Sequence, residues 1–303
     1  MTSVHKNMTF SEYLKSYFHL LDSPLRYTRA YKNGFSVMMH LLQNKFPFQA
    51  ILKNGKKITV HNYYEAYLGS FDILDGFKID GTIITITKDN FPEIKLDLEE
   101  DNGDVHGVFF AEVYHFLNSK NKVVVDIGAN IGDSAIYFAL SGAEKVIAME
   151  PFPRNFNAAK KNIELNDLSK KITLLNAGCA SKTGEIILDP NQAGAGSVTD
   201  STKNGIPIPL ISLEELVSKY HIPDGSVMKI DCEGCEVDVI LNSPKEILQK
   251  FSQIEIEYHY GYVDIKKKLE ESGFKITTSP PLFLRNRQSN TTMFFGYLYA
   301  TKK

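Results

Sequence analysis

Two acidic stretches hold the residues with chemistry in them. The first, residues 123–138, reads VVVDIGANIGDSAIYF. Asp126 ends an apolar, β-branched run, and Gly128 and Gly132 follow with three residues between them. A glycine lets the backbone turn and approach a bound molecule with no Cβ in the way. The amides that open the next helix form an anion site. A further carboxylate, Glu150, closes the run KVIAME about 20 residues on, where a strand-end acid can accept a hydrogen bond from each of two neighbouring hydroxyls. The second stretch, residues 227–236, reads VMKIDCEGCE, and QIEIEYH follows at residues 253–259. Asp231, Glu233, Glu257 and His259 are groups that hold or remove a proton from a reacting hydroxyl.

Strands must position these groups. The runs at 123–125, 145–150, 171–176 and 227–230 read as strands, and the strand, glycine turn and helix at 123–138 describe a nucleotide-type cradle at the carboxyl edge of a parallel sheet. The run at 253–259 is unusual. An inner parallel strand is apolar on both faces, yet Glu255, Glu257 and His259 share one face. Buried charge without partners is costly, so Glu257 and His259 are expected to line a wet or functional cavity; a hydrogen-bonded histidine at a strand end is the alternative. Ser212 and Glu215 form a capping box for the helix that follows.

The spacing D-I-G-A-N-I-G is not the dinucleotide G-x-G-x-x-G; it resembles motif I of class I S-adenosylmethionine methyltransferases. With Glu150-Pro151 and K-I-D-C-E-G-C-E, close to K-I-D-x-E-G-x-E, the chain resembles the FkbM-type methyltransferases over residues 107–274. The resemblance implies a Rossmann-like class I methyltransferase fold: a seven-stranded, mostly parallel sheet with a C-terminal antiparallel pair and helices on both faces. It implies S-adenosylmethionine as cofactor and O-methylation of a hydroxyl on a sugar, glycan or small-molecule metabolite. Asp126 then meets the ammonium of the cofactor's methionine, directly or through water. Gly128, Asn130 and Gly132 form the turn beside it, Glu150 holds the ribose hydroxyls, and Asn176 and Ala177 meet the adenine. Asp231 is the first choice for positioning or deprotonating the acceptor, Glu233 the second. His259 is a base or an orienting group, with Glu257 beside it. Glu112 and Tyr114, on a helix expected at 107–117, are weaker candidates, and core packing explains Tyr114 equally well. Lys229 pairs with a carboxylate, and Glu236 offsets the dipole of the following helix. The rivals are a SAM-binding regulatory or structural protein without catalysis, and an aminopropyltransferase-like enzyme.

Asp231, Glu257 and His259 are ligand types suited to a divalent metal, but no metal is assigned. Cys232 and Cys235 form a C-x-x-C with no second ligand pair for zinc; they are expected as small buried residues rather than a redox pair.

The 303 residues are 43% hydrophobic and 23% charged with a net charge of -2, the composition of a globular protein with no basic footprint for nucleic acid. No run is long enough to span a bilayer, no signal-peptide pattern opens the chain, and three cysteines make no disulfide framework; a cytoplasmic location is expected. Two units are expected: an α+β appendage over 1–105, suited to substrate selection, and a methyltransferase domain over 106–303, parted by the polar turn at 101–104. The appendage reads as helices over 9–46 broken at Ser23-Pro24, a hairpin with a two-residue Asn54-Gly55 turn, a helix at 63–68, and strands at 82–87 and 93–98. Arg26, Arg29 and Lys32 read as a solvated face in preference to a membrane surface. The glycine-rich 191–197 is a lid or a plain loop, and Arg285 and Arg287 lie in the last connection.

Overall fold

The computed structural model describes residues 26–61, 63–70, 77–80, 82–88, 90–100, 104–191, 205–286 and 291–303. The helical pattern before residue 26, the Ser23-Pro24 break, the loop beyond Asn191 and Arg287 lie outside the described residues.

The first core is small and local. Helix α1 (Gly34–Leu42) turns Val37 and Leu41 inward. They meet Phe48 and Ala50 of β1 (Phe48–Ile51), Val60 of β2 (Lys57–Val60) and Ala66 of α2 (Tyr63–Gly69). Buried Tyr31 closes this cluster by donating to the Ala66 carbonyl at 2.7 Å. The hairpin turn is longer than its Asn-Gly pair suggests. The Leu52 amide bonds Lys56 O, leaving Lys53, Asn54 and Gly55 as the loop, with Gly55 at φ 95°. A glycine in the left-handed region at the end of a three-residue loop is the bulged hairpin, so Gly55 serves a different turn type.

Strands β3 (Phe77–Asp80), β4 (Ile83–Ile86) and β5 (Ile94–Asp97) form an antiparallel sheet. Ile84, Ile86, Ile94 and Leu96 alternate into the same apolar cluster as Ile136 and Phe138. Asn162 and Lys161 also bind Asp97. Residues from before and after the 101–104 stretch thus share one apolar cluster. Helix α3 (Asp104–Phe109) is shorter than the pattern at 107–117. The amides of Phe110 and Ala111 both reach His106 O, and Glu112 takes a left-handed φ of 49°, which ends a helix. The turns that follow pack Tyr114 on Phe138, ring centroids 5.7 Å apart.

The main sheet starts at β6 (Val123–Ile127) and continues through α4 (Asp133–Leu140), β7 (Lys145–Met149), α5 (Pro153–Leu165) and β8 (Ile172–Leu175). A side sheet of β9 (Gly178–Ala180), β10 (Gly184–Leu188) and β11 (Ile206–Ser212) follows. Then come α6 (Leu213–Lys219), capped by Ser212 Oγ accepting from the Glu215 amide at 3.1 Å, β12 (Ser226–Ile230), α7 (Glu236–Asn242), α8 (Lys245–Leu248) and β13 (Phe251–Tyr258). Helix α9 (Val263–Glu271), β14 (Phe274–Thr278), β15 (Leu282–Asn286) and β16 (Thr291–Lys302) complete the chain. The strand order is β14-β16-β13-β12-β6-β7-β8, with β15 also paired to β16. Pairs from β13 to β8 are parallel, and β16 runs antiparallel to β13 and β14. This is the class I methyltransferase arrangement, a seven-stranded sheet ending in an antiparallel pair. The chain leaves β6 toward β7 and β8 on one side and returns to β12 and β13 on the other. The carboxyl ends of β6 and β12 thus flank the crevice where such sheets bind ligands.

Candidate active site

An open cavity lies at that switch point. Gly128, Asn130, Glu150, Ala177, Asp231 and Glu233 are among the residues that line it. Glu150 is buried, and its two oxygens each accept one backbone amide at 2.9 Å, from Asn130 and from Phe152. Burial pushes its carboxyl up to about 8, and the two amides only partly oppose that. Each oxygen keeps a lone pair for a further donor. Asn130, at φ 46°, is held in turn by the Asn155 amide at 2.5 Å. Ala177 presents a small wall, whereas Asn176 turns its amide to the Glu150 and Pro151 carbonyls at 2.9 and 3.1 Å.

Three motif residues also answer to their packing. Gly128, at φ 82°, lacks a Cβ because one would lie 1.7 Å from the Asp231 carbonyl oxygen. The close approach of the turns that follow β6 and β12 demands glycine there, whatever binds above. A Cβ at Gly132, φ 87°, would press on Ala159 of α5 at 3.2 Å. Asp126 is fully buried and does not line the cavity. It accepts from Ser134 Oγ at 2.7 Å and pairs with Lys229 Nζ at 3.2 Å. Burial raises its carboxyl, and Lys229 opposes that rise.

Asp231, Glu233, Glu257 and His259 come together on the other side. Asp231 Oδ2 accepts from the Tyr114 hydroxyl at 3.3 Å and lies 3.8 Å from Lys229 Nζ. Lys229 also donates to Gly128 O, so one buried ammonium ties the ends of β6 and β12 together. Burial works against its charge, but Asp126, Asp231 and Asp133 outweigh burial and hold its pKa above the usual lysine range. His259 Nδ1 donates to Glu236 Oε1 at 2.9 Å, and Nε2 lies 3.3 Å from Glu233 and 3.8 Å from Asp231. Burial opposes a charged ring, yet Glu236, Asp231 and Glu233 together lift it to about 10. Burial and Asp231 raise Glu257, which hydrogen-bonds Tyr297. Burial raises Glu233 as well. Asp231, Glu257 and His259 each place one ligand atom within 4.8 Å of the others, a metal-sized cluster.

Sequence reasoning underrated Glu236. It is buried and bonds His259 along with the amides of Cys232 and Gly234, both at 3.2 Å. Its place as the last acid of K-I-D-x-E-G-x-E was the available signal. Asp104, read as part of a polar turn, lines the cavity. Glu112 pairs with Lys88. Cys232 and Cys235 are joined by a disulfide, contrary to their expected role as mere small residues. The turn between β12 and α7 brings their Cα atoms to 5.5 Å, within disulfide reach.

Residues 126–276 match the methyltransferase FkbM domain. The chain is similar to the hexuronic acid methyltransferase AglP of Haloferax volcanii, 31% identical over 156 residues that make up 50% of this chain and 63% of AglP. It thus spans less than two thirds of that relative. It is also similar to the methyltransferase sdnD of Sordaria araneosa, 25% identical over 56% of this chain and 80% of that one. Among solved structures, the precorrin-6y C5,15-methyltransferase of Geobacter metallireducens overlaps 72% of this chain and 97% of its own with a TM-score of 0.41 and 13% identity.

Proposed function

The chain belongs to the FkbM-type methyltransferases, whose cofactor is S-adenosylmethionine, and on that premise we propose that it methylates a hydroxyl oxygen of a sugar, glycan or other small metabolite. The observation that carries this is the meeting, at Asp231, of a cavity with spare carboxylate acceptors and a cluster of proton-handling side chains.

The residues fit the cofactor. Glu150 has an acceptor site left on each oxygen for the ribose hydroxyls, beside a backbone turn at Gly128 and Asn130 and the small Ala177 wall. The bound cofactor supplies an electrophilic sulfonium methyl, so the protein has only to align an oxygen with it and manage one proton. Asp231 is the group for that proton: it lines the cavity, and Tyr114 fixes one of its oxygens. His259 stays charged among its three carboxylates, so it orients Glu233 and Asp231 instead of acting as base. Glu257 tends toward its protonated form and can donate to an acceptor oxygen. The name of AglP supports a sugar acceptor. The acids Asp104, Asp231 and Glu233 favour one that turns neutral hydroxyls, not a carboxylate, toward this wall. Asp104, the first residue of α3, lines the cavity and supports acceptor selection by residues 1–105.

No helix among the described residues is long and apolar enough to cross a membrane. A cytoplasmic site of action is part of this proposal, because the cofactor is made there. The Cys232–Cys235 bond pulls against it, since cytosolic thiols are kept reduced.

The test joins calorimetry with S-adenosylhomocysteine to labelled methyl transfer over a panel of neutral sugars, uronates and small-molecule alcohols. Binding with methyl appearing on an oxygen is the expected result. Binding without turnover on any acceptor favours a regulatory SAM-binding protein, and absence of binding ends the proposal.

A further inference from the structure

We infer that the Cys232–Cys235 pair is a thiol–disulfide exchange site, opened by a dithiol reductant, that sets how Glu233 faces the acceptor. Both cysteines line the cavity, and Glu233 stands between them in the chain. Glu233 has a left-handed φ of 57°, and Gly234 follows at 125°. A glutamate keeps that conformation only where its surroundings force it. Two restraints do so. One is the sulfur–sulfur link; the other is Glu236, whose carboxylate accepts the Cys232 and Gly234 amides.

Cys232 is half-buried and Cys235 buried, so attack comes at Cys232 from the cavity. A reductant thiolate bonds Cys232 Sγ, the Cys232–Cys235 bond breaks, and Cys235 leaves as a thiolate that takes up a proton. The reductant's second thiolate then displaces Cys232 as a thiolate that takes up a proton, so the reductant, having given two electrons, departs as its own disulfide and leaves two protein thiols. With one restraint gone, Glu233 relaxes away from His259 Nε2, now 3.3 Å distant. Glu150 and Ala177 hang on other strand ends and keep their places. The exchange separates acceptor handling from cofactor binding. Its effect on turnover rests on the methyltransferase proposal; its effect on His259 does not.

The test compares the full chain oxidised and after dithiothreitol. Alkylation and mass spectrometry count the thiols, and NMR follows the His259 ring, assigned with His259→Asn. Turnover and S-adenosylhomocysteine affinity are measured in both states. Reduction is expected to move the His259 signal, lower turnover about tenfold to a hundredfold, and change affinity by less than about threefold. The double variant Cys232→Ser/Cys235→Ser should match the reduced protein and ignore dithiothreitol. The inference is overturned if the folded protein resists reduction, or if the His259 signal is the same in both states. Equal turnover in both states of an active enzyme also overturns it. If neither state transfers methyl groups, the methyltransferase proposal fails and the His259 signal alone decides the exchange site.

Discussion

Glu150, on the β7 side of the cavity, meets only neutral donors: two backbone amides hold it, and burial keeps its proton on until the pH nears about 8. Asp231, Glu233 and Glu236, on the β12 side, converge on charged partners, Lys229 and His259. The first half is a shape with unused acceptors, suited to a ligand that brings its own donors and charge. The second has its charged groups paired before any ligand arrives, so they are oriented at no further cost when an acceptor enters.

Four changes break or sharpen that contrast. Asp231→Asn should lower turnover by about 10²–10⁴ and leave S-adenosylhomocysteine affinity nearly unchanged. A matching loss of affinity would mean the two halves are one. Lys229→Met removes the ammonium shared by Asp126 and Asp231. A buried carboxylate left unpaired costs about 3–5 kcal/mol, which urea unfolding would register. No change in the midpoint would show that Lys229 does not tie the halves.

Glu150→Ala should weaken S-adenosylhomocysteine about tenfold to a hundredfold with acceptor contacts intact. In the wild type, ribose hydroxyls favour the charged carboxylate, so affinity should rise up to about tenfold from pH 6 to 9 as the group ionises near about 8. Glu150→Gln should flatten that profile. The sign for folding is opposite. Between the ordinary value of 4.5 and about 8 the folded chain keeps a proton that the unfolded chain releases, so this group makes stability fall as pH rises. The smallest effect is expected from chelation. His259 already engages carboxylates at both ring nitrogens, Glu236 at Nδ1 and Glu233 at Nε2. Exhaustive EDTA should therefore change turnover by less than about twofold. Abolished turnover, restored by a divalent ion, would make the 4.8 Å cluster a metal site.

The main parallel strands were legible because each carries its own local signal, whereas β3, β11 and β15, the last holding Arg285, were not read. A β-branched run, a turn glycine or a capping pair such as Ser212 and Glu215 encodes its element within a few residues. Glu257 and His259 were legible for the opposite reason, since charges on an inner strand contradict the pattern around them. Long-range pairing was not legible. The partners of Asp97 lie on α5, and nothing near residue 97 announces Asn162 or Lys161.

From the sequence alone came the cofactor-type turn, the strand-end acids and the family likeness, because spacing within a short segment constrains them. The folded chain alone decided what those residues touch. It sealed Asp126 under Lys229, gave Gly128 its reason in the Asp231 carbonyl, closed Cys232 on Cys235 and made Glu236 the anchor of His259. Lys229 and Gly128 stand 101 positions apart. Only the packing of parallel strands brings such residues together, and local spacing does not record it.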